Sequence, residues 1–555
     1  MAAETTLAAL ALAGCLAALL PRVHRRLELS RAKHRSLAGH ARIARRLARL
    51  IPAISYRDDR FFGADGVPPV VIERRRQALQ RLARDLAERN REGIAATRDA
   101  KDYLPDLRFT SHYRVPFQFS EYLATQLPTS SFLRSSEGVW LTDLDGNRLI
   151  DLTGSYGVNL FGNDFYKRCI EEATAEAGRL GPVLGLYHPV VLDNVKRLRA
   201  ISGLDDVSFH MSGTEAVMQA VRLARYHTGR THLVRFCGAY HGWWEDVQPG
   251  PGNPLPPGSV HTLKDMDPRS LRVLRNRHDI ACVLINPLQA LHPNSVAPAD
   301  SGLVDSSRRA GFDRTAYQRW LTELRQVCSE RGIVLIFDEV FMGFRLSPGG
   351  AQEYFGVRAD MVTYGKTLGG GLPVGVVCGR RPFMERFKAD RPLDICFARG
   401  TFNSHPYVMA AMNSFLKALE GEECRRAYAG LDQRWLTRAS HFNTVLAQKE
   451  LPVRVAHLSS VFTVLYERPG AYNWMLQFYL RQNGLALSWV GSGRMVFSLD
   501  FDDAAFDEAV SRFAEAAQAM KADGWWDGSE MSNRNIRRSM LRDLLKARFH
   551  RFRAT

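Results

Sequence analysis

Apolar residues arrive in two rhythms along this chain, and each change of rhythm marks an element. Residues 332–337 form a largely apolar run closed by Asp338 and Glu339. Such a run predicts a strand buried on both faces of a parallel sheet. Residues 281–285 and 232–236 predict further strands, and 361–364 predicts one more that delivers Lys366 into the glycine-rich turn 365–371. Ligands gather at the carboxyl ends of such strands, so Asp338 and Lys366 read as candidates for chemistry and not for the core.

A helical rhythm begins behind Ser212-Gly213-Thr214, where Val217, Ala220, Val221, Leu223 and Ala224 fall largely on one face. A Ser-Gly-Thr start leaves backbone amides free to hold a phosphate dianion, although the triplet alone is an ordinary N-cap. Gly213 lets the backbone approach a ligand, and Ser212 or Thr214 can add a hydroxyl. Residues 138–151 read as two short strands around an Asp145-Gly146-Asn147 turn. After the strand at 232–236 comes Tyr240-His241-Gly242, in which His241 suits either acid–base work or a hydrogen bond to the backbone of a tight turn, the commoner arrangement. Residues 288–313 are polar and turn-rich, longer than an ordinary connection, and suit a loop over a pocket. Near the C-terminus, residues 494–499 predict a strand that presents Arg494, able to grip a carboxylate bidentately.

The ends have another character. Residues 5–20 are apolar without a charge, and arginines follow at once. This is marginal against the roughly 20 residues of a spanning helix. Glu4 and the trailing charges argue against a cleaved signal peptide, and the positive-inside bias would keep the remainder in the cytoplasm. The expectation is attachment to the cytoplasmic face of a membrane, with a hydrophobic helix docked on the protein as the alternative. Residues 27–50 predict a basic amphipathic helix that lies on an anionic surface or packs by one face, 57–70 carry turn signals, 71–91 predict another helix, and 531 onward a second basic amphipathic one.

Net charge sharpens this division. Of an overall +17, most resides in residues 1–50 and 529–555, which leaves the body between them close to neutral. No nucleic-acid motif accompanies it. The eight cysteines are scattered, so neither a zinc site nor a disulfide framework is indicated, and Cys237 and Cys282 read as core filler.

A lysine and a carboxylate offered at strand ends suit pyridoxal phosphate, for which a lysine forms the Schiff base and an acid partners the pyridinium nitrogen. The segments Phe337-Asp338-Glu339-Val340, 349–356 and 369–375 resemble those of the class III aminotransferases among the fold-type I pyridoxal phosphate enzymes, most closely the glutamate-1-semialdehyde aminomutases. The likeness covers roughly residues 110–520. It implies an α/β fold with a mostly parallel central sheet in a large domain (166–400). It also implies a smaller α+β domain built from 111–165 and 401–525. Residues 1–50, 51–110 and 526–555 are then extensions.

The resemblance also assigns roles. Lys366 would carry the cofactor, Asp338 would face its ring nitrogen, and Ser212, Gly213 and Thr214 its phosphate. Tyr240 would stack on one ring face, Val340, placed on the same strand as Asp338, on the other, with His241 nearby. Tyr156 and Asn159 would line the substrate pocket, although Tyr156 simply packing is the alternative. Thr401 would reach the phosphate of a neighbouring subunit, implying a homodimer with shared sites; otherwise it caps the apolar helix that starts near Tyr407. Asn286 departs from the pattern, since relatives usually carry glutamate before this proline, and an amide cannot replace a carboxylate that balances charge.

Together these readings predict amino transfer from an amino acid or amine to an aldehyde or ketone, or the related 2,1-aminomutase reaction. The greasy, basic ends suit a lipid-like or carrier-held carbonyl substrate. A tethered scaffold on a retired enzyme fold is the reading from another class, and the presence of both Lys366 and Asp338 weighs against it.

Overall fold

The computed structural model describes residues 17, 19–33, 40–113, 115–255, 258–291, 310–487, 493–528 and 532–554. The apolar stretch at 5–16 and most of the connection after Leu291 lie outside the described residues.

Three short strands, β1 (Leu133–Glu137), β2 (Trp140–Asp143) and β3 (Arg148–Asp151), form an antiparallel meander, and Leu485–Ala486 adds to β3 in parallel. Seven strands then make the central sheet: β4 (Asp206–His210), β5 (His232–Phe236), β6 (Val260–Leu263), β7 (Ile280–Ile285), β8 (Val334–Asp338), β9 (Met361–Gly365) and β10 (Gly375–Gly379). Their order is β4-β10-β9-β8-β7-β5-β6. β6, β5, β7, β8 and β9 run parallel, and β10 is antiparallel to both β9 and β4. Every residue of β7, β8, β9 and β10 is buried, which is why these segments read as continuous apolar runs. A further antiparallel sheet of Val453–Leu458, Val461–Tyr466 and Arg494–Val496 is tied to the loop beyond β8 by Arg345. That fully buried guanidinium donates to Ser460 Oγ (2.7 Å), the Phe497 carbonyl (3.0 Å) and the Asn159 carbonyl (3.2 Å).

The N-terminal extension is helical but differs in detail from the expected pattern. In place of one helix over 27–50, a helix through 19–32 ends at a bend at Lys33, and another spans Ala41–Leu50. Alternating arginine and aliphatic residues carry helical periodicity straight across the break, so pattern alone does not reveal it. Residues 58–62, within the expected turn, form a short helix because Phe61 and Phe62 drive into the core. The next helix runs Pro69–Arg89, with proline in its first turn, and a separate one follows at Arg91–Tyr103. Arg75 anchors the first of these by a buried bidentate pair with Asp65, 2.8 Å at each contact. The C-terminal helix Asn533–Ala554 docks on this extension through Asp543, which accepts from Tyr56 Oη (2.6 Å) and pairs with Arg60.

Candidate active site

β8 ends on Asp338 and β9 on Gly365, so the two neighbouring parallel strands deliver the carboxylate and Lys366 to the same sheet edge. Lys366 itself adopts φ +50, a left-handed conformation that a lysine holds only where the surroundings enforce it. Both side chains open into a cavity of about 910 Å³. Its lining includes Tyr156, Ser212, Gly213, Thr214, Tyr240, His241, Val340 and Arg494, so most of the residues singled out in the sequence come together.

Asp338 is buried and heavily hydrogen-bonded. Its Oδ1 accepts from the Val340 amide (3.1 Å) and Thr363 Oγ1 (3.3 Å), and its Oδ2 from His241 Nδ1 (2.7 Å). His241 therefore departs from the expected backbone hydrogen bond: it supports the carboxylate. Burial pushes its pKa down, opposed by the bond to Asp338, which favours a neutral ring protonated at Nδ1. Val340 also differs from expectation, because β8 stops at Asp338 and Val340 lies in the turn beyond it. There it still lines the cavity.

The Lys366 amine donates to the Tyr156 carbonyl and lies 4.9 Å from the ring centre of Phe341. Burial holds its pKa down to about 8, with the positive charges of Arg345 and Arg494 acting in the same direction and Asp338 opposing. About a tenth of the amine is then neutral at pH 7, far more than for an ordinary lysine, which suits attack on a carbonyl.

Tyr156 is held in a left-handed turn: Gly154, Ser155, Tyr156 and Gly157 have φ of 49, 45, 56 and 97°. The two non-glycine residues cost roughly 1–2 kcal/mol each. Thr153 secures the turn by accepting from the Ser155 amide (2.9 Å) while donating to Asp151 Oδ1 (2.6 Å). Asn159, expected in the pocket, does not line the cavity. It is buried beneath it, where Oδ1 accepts from the Gly162 amide (2.9 Å) and its carbonyl receives Arg345.

The helix Gly213–Thr228 points its N-terminus into the same space. Ser212 caps it by accepting from the Glu215 amide (3.2 Å), and Glu215 returns a bond to the Met211 amide (3.0 Å), a close variant of a capping box. First-turn amides have no intrahelical acceptor, and they meet the positive end of the helix dipole here. Two close approaches leave this cradle built from backbone: a Cβ on Gly213 would lie 2.6 Å from Val340 Cγ1, and one on Gly242, 2.5 Å from Thr214 Oγ1. A phosphorylated planar ring fits this donor set: the helix start would hold its anion, Asp338 would face its ring nitrogen and Lys366 would meet its carbonyl.

Several lining residues had not stood out in the sequence. Phe341 and Gln289 face the cavity, and Gln289 Nε2 donates to the Cys237 carbonyl (3.1 Å). Cys237 borders the space while remaining buried, whereas Cys282 is core as expected. Asn286 donates to the Tyr240 carbonyl (3.3 Å) and accepts from the Leu288 amide (3.0 Å), so the amide braces the Tyr240 loop. Thr401 sits on the exposed surface outside its own chain's cavity, and the N-cap of the helix Pro406–Leu419 is His405. Far from the cavity, His232, His261 and Asp279 converge at the sheet edge with ligand atoms within 4.8 Å. Arg277 already grips Asp279 there (Nε–Oδ1 2.9 Å).

Comparison with known proteins agrees with this geometry. The family model described as aminotransferase class-III matches residues 122–517. The glutamate-1-semialdehyde 2,1-aminomutase of Flavobacterium johnsoniae is 33% identical over 358 residues, 61% of this chain and 77% of that protein. The protein of the same name from Nitratidesulfovibrio vulgaris is 35% identical over 345 residues, 60% and 77% of the two chains. Among solved structures, a transaminase with PLP bound superposes with a TM-score of 0.60 at 29% identity, covering 71% of this chain and 92% of that one. A glutamate-1-semialdehyde-aminomutase from Pseudomonas aeruginosa PAO1 shares the fold at 18% identity, with a TM-score of 0.64 over 81% and 99% of the chains.

Proposed function

The chain belongs to the class III aminotransferases, pyridoxal phosphate enzymes of fold-type I, and from that premise we propose that it transfers an amino group from an amino-acid or amine donor to an aldehyde or ketone with an apolar body. The observation that carries this reading is the composition of the cavity. Among the described residues its one carboxylate is Asp338, its amine is Lys366, and Arg494 is a second cation at the wall. Apolar side chains, including Val158, Leu288, Leu372 and Val496, supply much of the remaining lining. An anionic group placed at Arg494 and an apolar chain along those walls describe the substrate class.

Bound pyridoxal phosphate supplies a carbonyl that condenses with amines and a ring that withdraws carbanion electrons. The protein's own groups do the rest. The helix start at Ser212, Gly213 and Thr214 holds the phosphate dianion. Asp338, oriented by His241, Thr363 and the Val340 amide, would hold a proton at the ring nitrogen. Tyr240 and Val340 cover the two ring faces. Lys366 would carry the cofactor and, at the cavity wall, would move a proton at the substrate carbon, a role suited to an amine whose pKa burial lowers to about 8. Arg494 fixes a substrate carboxylate and thereby sets which carbon faces Lys366.

Tyr240 is 61% exposed, although it is assigned to cover a ring. Leu186, Tyr187, Trp243, Leu393 and Phe397 also stand well out from the surface. A homodimer that brings a partner's Thr401 to the phosphate would bury exposed apolar side chains of this kind, which supports the shared site implied by the family pattern.

A second reading, the 2,1-aminomutase reaction, is favoured by the relatives at 33 and 35% identity, both glutamate-1-semialdehyde 2,1-aminomutases. Both reactions use the same residues, and they differ in whether one molecule gives and receives the nitrogen. Adding a panel of amino donors to the holoenzyme separates them. Loss of the visible cofactor band with stoichiometric release of the matching keto product supports transamination. An unchanged spectrum with every donor would sink it.

A further inference from the structure

The two N-terminal helices are fastened to the catalytic body by one side and present the other to solvent. In the helix through 19–32, Ala32 is buried, its carbonyl accepts from the Lys264 amide (3.1 Å), and Glu28 accepts from Asn276 Nδ2 (2.9 and 3.0 Å). In Ala41–Leu50, Ala44 is buried and Arg45 donates to the carbonyls of Asn253 (3.1 Å), Pro254 (3.3 Å) and Leu255 (2.5 Å). The two helices meet, since Arg26 and Leu29 of one and Arg42 and Ile43 of the other line a common hollow against β6.

What remains outward is one-sided in chemistry. Leu19, Leu20, Val23 and Leu27 of the first helix are exposed, as are Ile43, Leu47, Leu50 and Ile51 at the second. Their spacing places each set on a single helix face. Arg22, Arg25 and Arg26 are exposed on the first helix, and Arg42, Arg46 and Arg49 on the second. The only acid in either described helix, Glu28, is turned to the body by its bond to Asn276. An aliphatic stripe flanked only by guanidinium groups is complementary to a surface that is apolar a few ångströms down and anionic at its top.

We propose that this face docks the enzyme on an anionic lipid surface, with the aliphatic residues entering the headgroup boundary and the arginines on lipid phosphates. Docking by this face needs no spanning helix, and none among the described residues is long and apolar enough to cross a membrane. It is independent of the amino-transfer reading, because none of these residues lines the active-site cavity.

The test is flotation of the full-length holoenzyme with phosphatidylcholine vesicles, with and without phosphatidylserine, in 0.15 M salt. The wild type is expected to float with the anionic vesicles and to remain at the bottom with the neutral ones. Replacing Arg46→Glu and Arg49→Glu together is expected to lower partition by at least about thirtyfold, at roughly fivefold per lost charge, with turnover unchanged. Leu47→Glu with Val23→Glu is expected to lower it as strongly. Equal flotation of wild type and both variants, flotation with neutral vesicles alone, or no flotation at all overturns the proposal. So does self-association in solution that the same substitutions abolish, which would make the face a contact between copies of the chain.

Discussion

His241 Nδ1 lies 2.7 Å from Asp338 Oδ2, and both side chains are closed off from solvent. This bond couples the turn after β5 to the end of β8, 97 residues along the chain, and it holds the orientation of the carboxylate. Asp338→Asn should leave the fold intact and lower kcat by about a thousandfold or more, since an amide cannot hold a proton on a ring nitrogen. His241→Phe removes one charged hydrogen bond worth roughly 1.5–3 kcal/mol, so kcat should fall about tenfold to a hundredfold. Single-turnover kinetics with a reactive donor checks both, and equal activity of wild type and His241→Phe would remove the support assigned to this bond.

Lys366 should show its depressed pKa when cofactor is added back to the apoenzyme. Only the neutral amine attacks a carbonyl. Burial, then the charges of Arg345 and Arg494, favour that form, so the rate of recombination should rise through about pH 8 and level off above it. An ordinary lysine would titrate near 10.4. Arg494→Met removes one repelling cation and should move the midpoint upward. Stopped-flow absorbance across pH 6–10 measures both midpoints.

Much of this site was legible in the sequence, for identifiable physical reasons. Strands buried on both faces must be apolar throughout, so β7 and β8 announce themselves, and whatever polar residue closes such a run, as Asp338 does, stands at an edge. The helix start at Ser212 and the turn holding Lys366 were equally readable. Other features depend on tertiary contacts that no local pattern carries. His241 reads as a turn residue until β8 is placed beside it. Arg345 is charged yet completely buried, against the usual rule, because three acceptors from distant segments converge on it. Asn159 looked like a pocket residue, but its amide completes the turn to Gly162 underneath. The break at Lys33 hides behind arginines that keep helical spacing on both sides.

Glu339, next to Asp338, should leave a signature in stability against pH. Burial pushes its pKa up to about 7, although the amides of Ala351 (2.6 Å) and Gln352 (3.3 Å) donate to it and favour the charged form. Between its unfolded value near 4.3 and about 7, the unfolded chain releases the proton while the folded one keeps it. The group's contribution to stability therefore falls as pH rises across that window and is constant above it. Relative to Glu339→Gln, the wild type should melt at a higher temperature at pH 5 than the same comparison gives at pH 8. A difference in Tm that does not change with pH would contradict the assignment.

The exposed apolar side chains around Thr401 in the sequence bear on the proposed shared site. Leu393, 95% exposed, and Phe402, adjacent to Thr401, are suited to burial against a second copy. Leu393→Asp with Phe402→Asp should shift the protein to a monomer in sedimentation and cost at least about tenfold in activity, more than these surface positions would cost in a monomeric enzyme. A monomeric variant with full activity would show that each chain completes its own site.

The most direct test of amino transfer follows the nitrogen atom. The holoenzyme is incubated with a ¹⁵N-labelled amino acid that the donor panel has shown to react, together with a long-chain aldehyde, and the product amine is examined by mass spectrometry. The account predicts one ¹⁵N per product molecule with wild type and none with Lys366→Ala. Unlabelled product amine, or no product while the labelled donor is consumed, would contradict it.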